Sequence, residues 1–339
     1  MKKSILFLLL AVAMCCCKEN IDQQQVKNEN FKKEFVSTYG EPQEDHMWGF
    51  DATTRSADVN ANMWDYTPVA PTRTEIEKVK RWFDTHYFPT NSIEVDWMNF
   101  YVQHISGKHS NMDWLYCGYD DHIANFNATN GSVMKMVNST TMNFGYHNSL
   151  DNKMHNDYYI KEIDGQYYVG FDFVANGMNP NQRESPDGLY NDWIVKISPA
   201  YSKIIIAEDL GVQSTDFDYN DVVFGVDGDV VTLLAAGGTL PLYIDGNEVH
   251  NAFGVSTKTM VNTYSYNEMP PVQFRIQTKN ISDIPIKVGD YTVPWFKGQP
   301  SAKICVDADY VWTTERESID KKYPKFKDYV KNQTIKFWK

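Results

Sequence analysis

The sequence predicts a mainly β protein, an antiparallel β-sandwich or jelly-roll-like domain with an N-terminal and a C-terminal flanking helix. Three observations carry that expectation. Beyond residue 90 the apolar positions follow a period of two, Asp-Gly pairs of the hairpin type stand at 164–165, 227–228 and 245–246, and helical spacing is confined to the two ends of the body.

At the N-terminus, Lys2 and Lys3 precede an apolar run from Ile5 to Met14. It is too short to span a bilayer and has the form of a signal-peptide core. Cys15, Cys16 and Cys17 follow at once, which resembles a lipoprotein signal whose first retained residue is an acylated Cys. Cys17 is favoured as the lipidated residue because Lys18-Glu19 behind it resembles the short tag of surface-displayed lipoproteins, with Cys15 and Cys16 as alternatives. Residues 1–17 are therefore read as signal peptide and lipobox. The expected location is the outer membrane, with a lipid anchor and the body exposed at the cell surface.

Loss of Lys2 and Lys3 leaves 30 basic residues against 44 acidic ones, a net charge near −14. Nucleic acid is excluded as a partner, since attraction to phosphate needs a basic stripe. The one lysine-rich stretch, 321–331, interleaves its charges with Tyr323, Phe326, Tyr329 and Val330, as a solvated helix face does. Cys117 and Cys305 remain beyond the signal region; two buried thiols are the default and a disulfide is the alternative.

Residues 18–70 read as a polar tether, marked by Gln23-Gln24-Gln25, Gly40-Glu41-Pro42, Pro68 and, just beyond it, Pro71. A short amphipathic helix around Phe31, Phe35 and Val36 interrupts it. A single β domain with its flanking helices is expected over 71–335. Its first helix carries a Thr74/Glu77 capping pattern and buries Ile76, Val79, Trp82 and Phe83 until Pro89 stops it. Ile93, Val95 and Trp97 then alternate as a first strand. Asp164-Gly165 joins Tyr158-Tyr159-Ile160 to Tyr167-Tyr168-Val169, and a Pro324-led segment with Phe326, Tyr329 and Val330 on one face closes the body as a helix.

One phrase occurs twice: Tyr190-Asn191-Asp192-Trp193-Ile194-Val195 and, 29 positions later, Tyr219-Asn220-Asp221-Val222-Val223-Phe224. Each copy sets an Asn-Asp pair before a strand-forming run, and Trp193, Val195 and Ile197 share one face, as do Val222, Phe224 and Val226. Acidic residues lead into both, Asp187 before the first and Glu208, Asp209, Asp216 and Asp218 before the second. Calcium takes six to eight oxygens, including carboxylates and carbonyls. Asp216, Asp218, Asn220 and Asp221, with Glu208 and Asp209, are therefore candidate ligands, joined by Asp187, Asn191 and Asp192. An EF-hand is excluded: its sixth-position glycine is Asp221 here, and its twelfth-position glutamate is Asp227. The competing reading is that each Asn-Asp makes only a turn. The surplus of mutually repelling carboxylates favours the cation.

A wider set of segments carries a family resemblance: Ala207-Glu208-Asp209-Leu210-Gly211, Asp216 to Phe224, Leu234 to Leu242, Glu248-Val249-His250 and Ala252-Phe253-Gly254-Val255. It extends upstream to Phe144 to Leu150 and Phe171-Asp172-Phe173, and downstream to Ile304-Cys305-Val306 and Tyr323 to Phe326. The chain resembles the LruC-domain lipoproteins of Bacteroidetes. The resemblance implies a β-rich, surface-exposed, calcium-binding domain with no established catalytic activity, and Asp172 completes the candidate metal ligands.

No catalytic constellation stands out. The eight histidines lack the HExxH arrangement, no Gly-x-Ser-x-Gly elbow occurs, and His250, two residues after Glu248, is read as a structural histidine. The function expected is binding or adhesion at the cell surface, with a protein or glycan ligand. The glycan alternative rests on aromatic side chains that stack on sugar faces, with Trp97, Trp114, Tyr116 and Tyr119 as candidates.

Overall fold

The period-two stretches form antiparallel strands, and the chain is mainly β with short helices near both of its ends. The computed structural model describes residues 24–50, 70–95, 97, 99–118, 120–125, 133–138, 143–210, 215–264 and 267–339. The single β domain expected over 71–335 is divided between two compact units. One comprises 24–50, Lys203–Met269 and Arg275–Lys339; the other comprises the described residues of 70–202 with Pro270–Phe274.

Part of the segment expected to be a tether is folded. Residues 24–39 form a helix that buries Phe31, Phe35 and Tyr39 at successive i+4 steps, and Trp48 beyond it is fully buried. Phe35 meets Trp48 edge to face at 5.6 Å and Tyr39 meets Phe326 at 5.1 Å, so aromatic spacing outweighs polar composition here. The signal region, the three clustered cysteines and residues 51–69 lie outside the described residues.

In the second unit the helix Arg73–Thr85 opens on Thr72, not Thr74. Thr72 is extended, its hydroxyl accepts from the Glu75 N–H at 3.2 Å, and Glu75 reaches back to the Thr72 N–H at 3.3 Å. Glu77 instead pairs with Arg73 on the exposed face. Val79 and Phe83 pack with Ile105, Tyr159, Tyr168 and Ile194 on one face of a five-stranded sheet, ordered Val133–Asn138, Asn99–Gly107, Trp193–Pro199, Gln166–Phe171, Tyr158–Ile163. Its other face shares a core with a four-stranded sheet, Asp120–Asn125, Met112–Cys117, Phe144–Asn148, Lys153–His155. Phe100, Val102, Trp193, Val195 and Ile197 meet Leu115, Phe144 and Tyr146 there, giving a two-sheet sandwich with a helix outside.

Ile93, Val95 and Trp97 pack on that core but form no strand; the ladder begins at Asn99. One backbone bond, Ile93 N–H to Ile160 C=O at 3.2 Å, ties their segment down. The Asp164-Gly165 hairpin is present, with φ of 53° and 70° at its two central residues, as a type I′ turn requires.

The first unit carries a sheet in which Val230–Ala235, Val222–Asp227, Lys203–Ala207 and Lys303–Asp307 are neighbours in that order. Val222, Phe224 and Val226 are buried, and so is Val223 on the opposite face. A smaller sheet, Asn247–Glu248, Leu242–Ile244, Ile286–Val288, Tyr291–Thr292, turns at Asp245-Gly246. The C-terminal helix Phe326–Lys331 buries Phe326, Tyr329 and Val330, and a one-turn helix, Ile319–Lys322, precedes Pro324. Cys117 and Cys305 are both buried thiols, and no disulfide joins them.

Candidate metal centre

The repeated phrase has the same mechanical role in each unit. In the second unit Trp193 pairs with Phe171; in the first, Val222 pairs with Ala207. The Asp before each of these strands accepts the N–H two residues beyond its partner strand. Asp192 Oδ2 takes it from Phe173 at 2.8 Å, and Asp221 Oδ2 takes it from Asp209 at 2.7 Å. The acid directly after each partner strand grips the loop in return. Asp172 accepts from the N–H groups of Asp187 and Gly188 at 3.3 and 2.8 Å, and Glu208 accepts from Tyr219 N–H at 2.6 Å and from the Thr215 hydroxyl. Two long-looped antiparallel hairpins are thus tied at the mouth by reciprocal carboxylate bonds.

In the second unit these bonds account for the acids. Asp187 Oδ1 accepts from Leu189 N–H at 2.8 Å, His109 Nε2 stands 3.2 Å from Asp192 Oδ1, and Asn191 donates its amide to Asp84 at 2.7 Å. Burial pushes Asp172 up to about 6 against the pull of the Gly188 N–H, with Asp187 and Asp192 adding to the rise. Burial raises Asp192 as well, opposed by the Phe173 N–H and by His109. Asp172, Asp187, Asn191 and Asp192 are therefore engaged as turn and loop fasteners.

The first unit has acids to spare. Carboxylate oxygens of Glu208, Asp216 and Asp218 all lie within 4.8 Å of one another, with Glu208 and Asp218 buried and Asp216 exposed. Oxygens that share one calcium ion at about 2.4 Å stand no more than about 4.8 Å apart, so these three are near enough to share an ion. Asp218 is fixed by the N–H groups of Asn220 at 3.1 Å and Arg316 at 2.7 Å, and its C=O accepts from the Thr313 hydroxyl. Each carboxylate oxygen retains a lone pair for a cation. The backbone alternates with φ of 57° at Phe217 and 53° at Tyr219, a conformation rare outside glycine. Phe217 meets Tyr39 at 5.2 Å, and Tyr219 is fully buried with its hydroxyl on Ser301 C=O at 2.7 Å.

Protonation in this loop reflects crowded like charge. Burial and then Asp218 push Glu208 well up; burial and then Asp216 push Asp218 up to about 7. Asp221 is raised well above the usual carboxylate range by burial, Asp209 and Glu208. Glu315 is pushed up to about 7 by burial and Asp216, against the Arg316 guanidinium. The strongest influences on Glu208, Asp218 and Asp221 besides burial are neighbouring carboxylates, opposed by the Thr215 hydroxyl and backbone N–H groups.

Asn220 and Asp221 stand beside the carboxylate trio. Asn220 is fully buried, donates to Thr313 C=O at 3.3 Å, and turns its unpartnered Oδ1 toward Gly237. A Cβ on Gly237 would strike that oxygen, and one on Gly238 would come 3.1 Å from Asp209 Oδ2. Both glycine N–H groups bond to Asp221 C=O, at 3.0 and 3.1 Å, and His250 Nε2 holds Gly238 C=O at 2.9 Å while Nδ1 meets Glu248 at 2.8 Å. Glu315 is the acid that sequence reasoning missed. It lies about a hundred positions downstream, and nothing in Thr314-Glu315-Arg316 marks it locally.

Among the aromatic candidates, Trp114 stacks on His147 at 5.1 Å and Tyr116 lies across Gly145, while Tyr119 is outside the described residues. Trp97 lines a cavity in the second unit. No helix among the described residues is long and apolar enough to cross a membrane. No family model, curated protein or solved structure matches this chain.

Proposed function

We propose that the protein is a lipid-anchored lipoprotein of the outer membrane whose β-rich body is stabilised by calcium and acts in binding or adhesion at the cell surface. The observation that carries the calcium is the convergence of Glu208, Asp216 and Asp218, two of them buried, where neighbouring carboxylates raise the buried pair. A divalent ion would remove the repulsion that raises these carboxyls and would be gained only by the folded chain. Asp209, Asp221 and Glu315 add negative field around it. Magnesium suits the site less well, because it holds its ligands at about 2.1 Å in a tight octahedron.

The anchor rests on the apolar run ending in Cys15 to Cys17, with Cys17 as the acylated residue, and the resemblance to LruC-domain lipoproteins supports the same reading. A binding role is supported by the lipid-anchor reading and by a sequence that offers no nucleophile and base to name. Equilibrium dialysis against calcium tests the metal: the intact chain should retain the ion stoichiometrically, and Asp216→Asn with Asp218→Asn should lose it. Equal retention by both proteins would place the ion elsewhere.

A further inference from the structure

The helix over 24–39 begins only seven residue steps after Cys17. Even fully extended, seven steps reach at most about 25 Å. With an acyl chain on Cys17 seated in lipid, the amino end of this helix is held within that distance of the headgroups. The helix is itself packed into the first unit through Phe31, Phe35 and Tyr39, so the anchor delivers one face of that unit to the membrane. The flank of the helix lies along the segment 291–297. The Tyr291 hydroxyl donates to Asn28 Oδ1, the Lys27 ammonium stands 5.2 Å from the Tyr291 ring centre, and the Lys32 ammonium stands 5.9 Å from that of Phe296 while also reaching Glu29 at 3.4 Å. Phe296 is 48 % exposed and Val26, in the first turn of the helix, 59 %. Lys33 and Lys297 are exposed beside them. Over 24–34 and 287–297 the sequence sets Lys27, Lys32, Lys33, Lys287 and Lys297 against Glu29, Glu34 and Asp290, a local excess of base in an acidic chain.

We propose that this face, the flank of the helix with Tyr291 to Lys297, rests on the anionic headgroups of the membrane that holds the anchor. A half-exposed aromatic ring suits the interfacial layer, and lysine stems lie along apolar surface while their ammonium groups reach phosphate. The anchor makes the contact intramolecular, so a weak attraction suffices to hold it. Any other partner would have to enter a gap of at most about 25 Å beside the anchor. The inference rests on the lipid-anchor reading above and is independent of the cation.

Lysine acylation by a membrane-impermeant reagent, read by mass spectrometry, tests it. The natural lipidated chain is labelled on vesicles of phosphatidylethanolamine and phosphatidylglycerol, with the Cys15→Ser, Cys16→Ser, Cys17→Ser protein in solution as the reference. Lys27, Lys32 and Lys297 should label about fivefold more slowly on the vesicles, as a face in contact for about four-fifths of the time does. Lys258, exposed elsewhere on the first unit, should label alike in both. Phe296→Ser with Lys297→Glu, both at exposed positions, should restore the labelling of Lys27 and Lys32 while the chain stays on the vesicles. Vesicles of phosphatidylcholine alone should shield the three lysines far less. Equal labelling on vesicles and in solution, equal shielding of Lys258, or shielding that survives both the double variant and the neutral lipid overturns the contact. The mass of the N-terminal peptide separates the two readings: a chain without an acyl group removes the anchor and this contact with it, whereas an acylated chain with unshielded lysines removes the contact alone.

Discussion

The carboxylate of Asp221 accepts the backbone N–H of Asp209 at 2.7 Å, across the mouth of a hairpin loop. Asp192 does the same for Phe173 at 2.8 Å in the other unit, and in both cases the acid that follows the partner strand holds the loop from the opposite side. The repeated Asn-Asp phrase thus records a repeated mechanical task. The acids left over in the first unit, Asp216 above all, are what that task does not need.

Asp192→Ala removes the acceptor of the Phe173 N–H and should destabilise the protein by roughly 1–3 kcal/mol in urea unfolding. The loss should be equal with calcium and with chelator, since the second-unit acids act as fasteners. A calcium-dependent loss would put an ion at that loop as well.

Without calcium, the acidic loop's contribution to stability should fall as pH rises between about 4 and about 7, opposed over part of that window by His46, which burial lowers to about 4. Asp218 and Glu315 are pushed up to about 7 in the folded chain, whereas unfolded carboxyls titrate near 4. The folded state therefore binds more protons across that window, and the stability present below it is lost as pH passes the folded value. Glu208 and Asp221 act in the same direction. Calcium needs the ionised carboxylates, so its stabilising increment should be larger at about pH 8 than at about pH 5. Melting scans in the two conditions read the difference directly.

Gly237→Ala should destabilise by about 1–3 kcal/mol, the range for overpacking a filled interior. Its Cβ would strike the buried Asn220 side chain and backbone. Gly228→Ala, where the added Cβ meets open space, supplies the comparison: it should cost only the strain of its 59° φ and leave the acidic loop undisturbed.

Replacing Cys15, Cys16 and Cys17 with Ser should release the protein from membranes into the soluble fraction. Continued pelleting with membranes would remove the lipid-anchor reading.

Much of the fold was legible because it rests on local rules. Asp164-Gly165 and Asp245-Gly246 announce their hairpins, and Trp193, Val195 and Ile197 announce an inner face. The capping box was misplaced by two residues because Thr72/Glu75 and Thr74/Glu77 share one spacing, and only the extended backbone at Thr72 chooses between them. The helix around Phe31 and Phe35 was legible in its spacing, but its packing into a folded unit, and that of Trp48, was hidden in polar sequence, since it depends on Phe217 and Phe326 far along the chain. For the site, composition marked the acidic loops but could not tell a fastener such as Asp192 from a surplus acid such as Asp216. Asp187 to Asp192 and Asp216 to Asp221, which sequence alone had pooled into one ligand set, belong to different compact units.

Thermal melting of the intact chain with calcium and with chelator tests the central claim most directly. On the reading proposed above, calcium binds only the folded state, so stability should rise as RT ln(1 + [L]/Kd), about 2.7 kcal/mol at a hundredfold excess over Kd, and magnesium should reproduce little of it. Asp218→Ala should abolish most of the difference. Coincident melting curves in calcium and chelator would contradict the account and leave the Glu208, Asp216 and Asp218 cluster as a loop fastening without an ion.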